Sequence, residues 1–119
     1  MNVPQFLKEV KSGDFLTTKY GNILCVQKVV IDPKEGVRVY HFFDYDPDDK
    51  IFQMNEWLRG FYGPRFDEED FYRKSTQEEI NQLSTMMAKY GYELRESYGE
   101  MIPMPTFDGY MKARKVVEQ

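Results

Sequence analysis

One histidine, one cysteine and a surplus of carboxylates are the residues of this 119-residue chain that could do chemistry. Because His41 and Cys25 each occur once, neither a CxxC pair nor an HExxH helix can form within the chain. That leaves a Cys25–His41 or a serine–His41 pairing to weigh. Cys25 stands between Leu24 and Val26, where a thiol is ordinarily a small buried apolar group, and no third residue is in view to orient His41 as a base. No catalytic residue is assigned. Asp44, Asp46 and Asp48 fill the first, third and fifth places of a calcium-loop pattern, but Asp49 stands where that loop needs glycine and Asn55 where it needs glutamate. The expectation is a solvated hairpin turn, with those three aspartates the one metal-binding alternative, and no cofactor. Glu78 and Glu79 are adjacent, hence about 100° apart around a helix, and cannot converge as a catalytic pair.

Two surfaces remain. Asp67, Glu68, Glu69 and Asp70, with the aspartate turn and Glu56, could form an acidic face for a basic partner or imitate a phosphate backbone. Trp57, Phe61, Tyr62, Pro64 and Phe66 gather aromatic bulk in ten residues, either to cover the core beneath or to grip an extended peptide.

The charge map narrows the partner. The net charge is -4, and residues 44–70 alone carry nine acidic and three basic groups. With no basic stripe, direct nucleic-acid binding is not expected. No run of about 18 apolar residues is present, so no membrane span is expected. The charged start, with Lys8, Glu9 and Lys11, does not read as an export signal, and a single cysteine excludes an internal disulfide, so the expected compartment is the cytoplasm.

The elements that must position these residues follow from turn chemistry. Asn2 and Pro4 open a short helix with Phe6, Leu7 and Val10 on one face. Residues 14–19 and 23–31 form a hairpin turning at Tyr20-Gly21-Asn22, and Asp32-Pro33-Lys34-Glu35-Gly36 is the next turn. In 37–45 alternation puts Val37, Val39, His41, Phe43 and Tyr45 on one face and Arg38, Tyr40, Phe42 and Asp44 on the other. Residues 51–54 and 71–73 are short strands, with a single helical turn from Asn55. Ser75 or Thr76, answered by Glu78 or Glu79, caps a helix over 76–90 whose stripe is Ile80, Leu83, Met87 and Tyr90, and Gly91 ends it. Tyr92 to Leu94 adds a brief extended segment. Pro103 and Pro105 keep MIPMP extended, to dock on this chain or on a second copy, which leaves a homodimer open.

The run Arg73-x-Ser75-Thr76-x-Glu78-Glu79, Leu83, Gly91-Tyr92, with Ser12-Gly13-Asp14 at the opening, resembles short proteins of gut anaerobes and their phages. In those an SH3-like small barrel precedes an Arg-x-Ala-Thr-x-Glu-Glu helix. The resemblance spans about residues 13–93 and implies no activity. The chain departs from it at Ser75 and in the long aromatic segment.

The fold expected is therefore α+β. It has an SH3-like small antiparallel barrel or bent sheet over about 13–73, a short N-terminal helix, and the 76–90 helix packed across the sheet in one domain of residues 1–100. A proline-containing tail occupies 101–119. The function expected is a non-enzymatic protein-interaction module, binding through the aromatic segment or the acidic loops. An acidic nucleic-acid mimic or inhibitor is the alternative.

Overall fold

Ile23 to Asp32 and Gly36 to Asp46 are rich in β-branched and aromatic residues and are joined by a proline turn, so they pair as one long hairpin, the axis of the molecule. The computed structural model describes residues 4–33, 36–54, 60–62 and 72–106. In chain order the elements are α1 (Gln5–Lys8), β1 (Phe15–Thr18), β2 (Ile23–Asp32), β3 (Gly36–Asp46), β4 (Ile51–Met54), β5 (Gly60–Tyr62), β6 (Tyr72–Lys74), α2 (Gln77–Lys89), β7 (Tyr92–Ser97) and β8 (Glu100–Pro105). Lys34, Glu35 and the expected helical turn at Asn55 lie outside the described residues.

The main sheet runs β4-β3-β2-β1-β6, with β5 beside β4 along β3, and every pairing is antiparallel. The fold is α+β, as expected. Among the described residues no ladder joins β4 to β6, so no closed barrel is found. The face toward the C-terminal helix is covered by that helix instead of by further strands.

The β2–β3 ladder breaks at two bulges, one on each strand. Cys25 opposes Phe43 while its neighbour Val26 opposes His41, so Phe42 is an extra residue on β3. Lys28 then opposes Tyr40, so Gln27 is an extra residue on β2. The bulge at Phe42 changes which face each half of the strand serves. Val37 and Val39 join Leu16, Leu24, Val26 and Tyr72 in a core on one face, capped by Phe6 and Leu7 of α1 and by Val10 just after it. Phe43, Ile23 and Cys25 form a second core on the other face with Leu83 and Met87 of α2, and Phe42 and Tyr45 pack against it. The single face expected for Val37 through Tyr45 is therefore split in two.

α2 starts where its cap dictates. Thr76 Oγ1 accepts from the Glu79 amide at 3.2 Å and the Thr76 amide donates to Glu79 Oε1 at 2.8 Å, a complete capping box. Leu83 is 0% and Met87 2% exposed, whereas Ile80 is half-buried and Tyr90, the last of the expected stripe, is 54% exposed. Tyr90 lies at the helix end, beyond the sheet's central strands, and packs by its ring alone.

After Gly91, held at φ +86°, β7 and β8 form a separate hairpin in which Tyr92 pairs Pro105 and Leu94 pairs Pro103. Its turn has positive φ at Tyr98 (52°) and Gly99 (82°), the geometry that matches the twist of the flanking strands. The MIPMP segment is thus a strand of this chain. It rests on the Gly13 turn, where the Ser12 hydroxyl donates to the Met101 carbonyl at 3.1 Å. A Cβ on Gly13 would lie 2.5 Å from Met101 Cβ.

Leu83 fills the centre of the second core, so Leu83→Ala is expected to lower stability by about 2–5 kcal/mol, read from urea unfolding. A loss below about 1 kcal/mol would mean that α2 does not carry this core.

Candidate functional site

The bulge at Phe42 also decides what the lone histidine touches. Alternation alone would separate His41 from Asp44, but the inserted residue turns both to the α1 face. There His41 Nε2 lies 3.3 Å from Asp44 Oδ2. His41 is 8% exposed, so the carboxylate holds a ring that is nearly sealed from water. Cys25 lies on the opposite face and cannot reach it. Burial, with Asp14 adding a smaller push, drives the Cys25 thiol up to about 12, so it stays protonated and poorly nucleophilic. The Ser75 hydroxyl is bonded to Thr17 Oγ1 at 2.7 Å, and the Ser12 hydroxyl serves Met101.

The three aspartates of the calcium pattern are spoken for separately. Asp44 turns to His41, while Asp46 Oδ1 accepts the amides of Asp48 and Asp49 at 3.0 and 3.3 Å, closing its own turn. Among the described residues no three acidic, histidine or cysteine groups converge as a metal site would require.

Glu79 does more than cap. Arg73 on β6 clamps its carboxylate through two bonds of 2.6 and 2.8 Å, tying the last strand of the sheet to the start of α2. The Arg73 hydrogen bonds, aided by the Thr76 amide, hold the Glu79 carboxyl down at about 2 from its ordinary 4.5.

Trp57, Phe66, Asp67, Glu68, Glu69 and Asp70, expected to meet a partner, lie outside the described residues, as does Glu56. Phe61 and Tyr62 lie on β5, whose backbone pairs Val39 and Arg38. What the sequence reading missed is the neighbouring edge. Phe52 opposes Tyr45 and Met54 opposes Phe43, so both face α2. A row of rings runs outward through Phe43 (5.4 Å to Phe52, 19° between planes) and Phe52 (4.9 Å to Tyr90, 12°). On this face Met54 is 40% exposed, and Ile51, on the other face of the same strand, is 48% exposed. Sequence spacing separates Phe52 from Tyr90 by 38 positions, so only the packing of α2 brings them together. A hollow of about 380 Å³ opens between α1 and the start of α2, lined by Phe6, Val10, Phe15, Ile80, Asp14 and Lys74.

Two outcomes follow from these groups. The Glu79 contribution should be whole above about pH 4.5 and lost as pH falls toward 2, because the folded carboxyl releases its proton more readily than the unfolded one. Glu79→Gln should therefore be less stable than the parent by about 1 kcal/mol at pH 7. The gap should close in acid, measured by urea titration at stepped pH. Cys25 should react with a thiol reagent only as fast as the chain unfolds, and immediate stoichiometric labelling of folded protein would contradict its burial.

No family model, curated protein or solved structure matches the chain.

Proposed function

We propose that the protein is a protein-interaction module whose binding surface is the β4 edge and the aromatic row behind it. We take its sheet as an opened SH3-like small barrel, a reading supported by the meander order in which β6 returns to lie beside β1. It also agrees with the resemblance carried by Arg73, Thr76, Glu79 and the Gly91-Tyr92 stop. The observation that carries the reading is the make-up of β4. Ile51, Phe52, Gln53 and Met54 are uncharged, and all but Phe52 are exposed, on a strand that pairs on one side only among the described residues. Such an edge offers main-chain N–H and C=O groups for ladder bonds to an added strand, while Phe52, Met54 and Tyr90 offer an apolar footing for its side chains.

The binding energy in this scheme is main-chain and apolar, so association should change little with salt. Retention of a protein from a lysate of the source organism, compared at low and high ionic strength, tests this. Binding that survives high salt and falls with Met54→Lys supports the edge. Binding that collapses with salt and ignores Met54→Lys would transfer the function to the acidic loops and to a basic partner.

A further inference from the structure

Edges of β-sheets are ordinarily defended, and this molecule defends several of its other edges visibly. β6 ends the sheet with exposed Arg73 and Lys74, β7 carries Glu93, Arg95 and Glu96, and β8 carries Pro103 and Pro105, which have no N–H to offer. β4 has none of these devices. Among the described edge strands of four or more residues it alone has neither a charge nor a proline. An uncharged edge with no partner on its outer side among the described residues, in a chain whose other described edges of that length carry charge or proline, is one suited to be covered.

The sequence of β4 indicates by what. Two antiparallel strands that continue one sheet are related by a two-fold axis perpendicular to it, so a residue at the axis faces its own copy and its neighbours exchange partners. With the axis at Gln53, Phe52 of one copy faces Met54 of the other and Met54 faces Phe52, both pairs on the α2 side. That side already presents the ring row of Phe43, Phe52 and Tyr90. The thioether then lies against a ring edge, and the two Gln53 amides meet on the opposite side, each able to donate and accept. Moving the axis to Phe52 would set Ile51 against Gln53 and Lys50 against Met54, two mismatches. We infer that β4 pairs with β4 of a second copy of this chain in the Gln53-centred register, forming a homodimer with one sheet running through both subunits.

This inference rests on the proposed role of the β4 edge and adds the identity of its occupant. The Phe52–Met54 exchange makes the edge complementary to itself, whereas an arbitrary peptide would have to supply that pattern.

Three proteins test it: the parent chain, Met54→Lys and Gln53→Cys, with Asn81→Cys on the exposed face of α2 as the cross-linking control. Circular dichroism melting first establishes that each is folded. The parent should sediment at twice the chain mass at high concentration. Met54→Lys should raise the dissociation constant by about tenfold or more, since it sets an ammonium against Phe52 in a closed contact. Facing residues in an antiparallel pair hold their Cβ atoms about 4.5–5.5 Å apart, so oxidised Gln53→Cys should form a covalent dimer faster than Asn81→Cys. The buried Cys25 leaves the parent unlinked. A parent of single-chain mass overturns the inference, as does a dimer indifferent to Met54→Lys in which Gln53→Cys links no faster than the control. A single-chain parent that still retains a salt-resistant partner overturns the second copy alone. One that neither self-associates nor retains a protein overturns the edge reading as well.

Discussion

A single sheet here must bury both of its faces, and the bulges in the β2–β3 hairpin let it do so with ordinary residues. Without the extra Phe42, one face of β3 would collect Val37, Val39, His41, Phe43 and Tyr45 and the other Arg38, Tyr40, Phe42 and Asp44, an assignment that serves only one core. With it, Val37 and Val39 reach the core under α1 while Phe42, Phe43 and Tyr45 reach the core under α2. The rest of the molecule is built on that division. Phe6 and Leu7 of α1, with Val10 after it, need the first face, and Leu83 and Met87 need the second.

The same division separates the polar chemistry. His41 and Asp44 are brought together on one face, and Cys25 is sealed on the other. A buried imidazole with a carboxylate partner is costly to misplace. Loss of the Phe42 bulge would set His41 and Asp44 on opposite faces and part them, so the pair favours the bulged register. The Arg73–Glu79 clamp works similarly at the other end of the sheet. It couples where β6 stops to where α2 starts, so that the helix enters at the angle its stripe requires.

Local signals of one conformational kind were legible in the sequence. Gly21, Gly91, Thr76 and Glu79 each fix a few backbone angles or a cap by themselves, and the turns and the start of α2 fall where these residues put them. What was not legible depends on partners distant in sequence. A bulge has no residue type of its own, and Phe42 reads as one more aromatic in an alternating strand until Cys25 and Val26 are placed opposite. The β7–β8 hairpin was hidden because Pro103 and Pro105 argue against a strand wherever both sides are paired, and only an edge position admits them. Tyr98-Gly99 was its one local clue, with Tyr98 an unusual residue to hold positive φ. The candidate site was the least legible part. Ile51 to Met54 looked like a minor strand, and its exposure beside Tyr90 arises only when α2 lies across the sheet.

Edge chemistry and core chemistry are thereby kept on different residues. Leu83, Met87, Ile23 and Cys25 are fully enclosed and contribute through apolar burial, which is insensitive to what happens at the rim. Phe52 is the exception: its ring stacks inward on Phe43 and outward under Tyr90, while its backbone belongs to a strand paired on one side only among the described residues. Any strand added to β4 would therefore press on a ring already packed against the second core. Binding there would order the end of α2 through Tyr90 as well as the edge itself. The β3 ladder and this stacking hold β4 extended, and an edge already extended loses less conformational freedom on pairing than a loop would. That is the physical reason for proposing recognition at β4: the strand is short, but it is already held in extended form by β3.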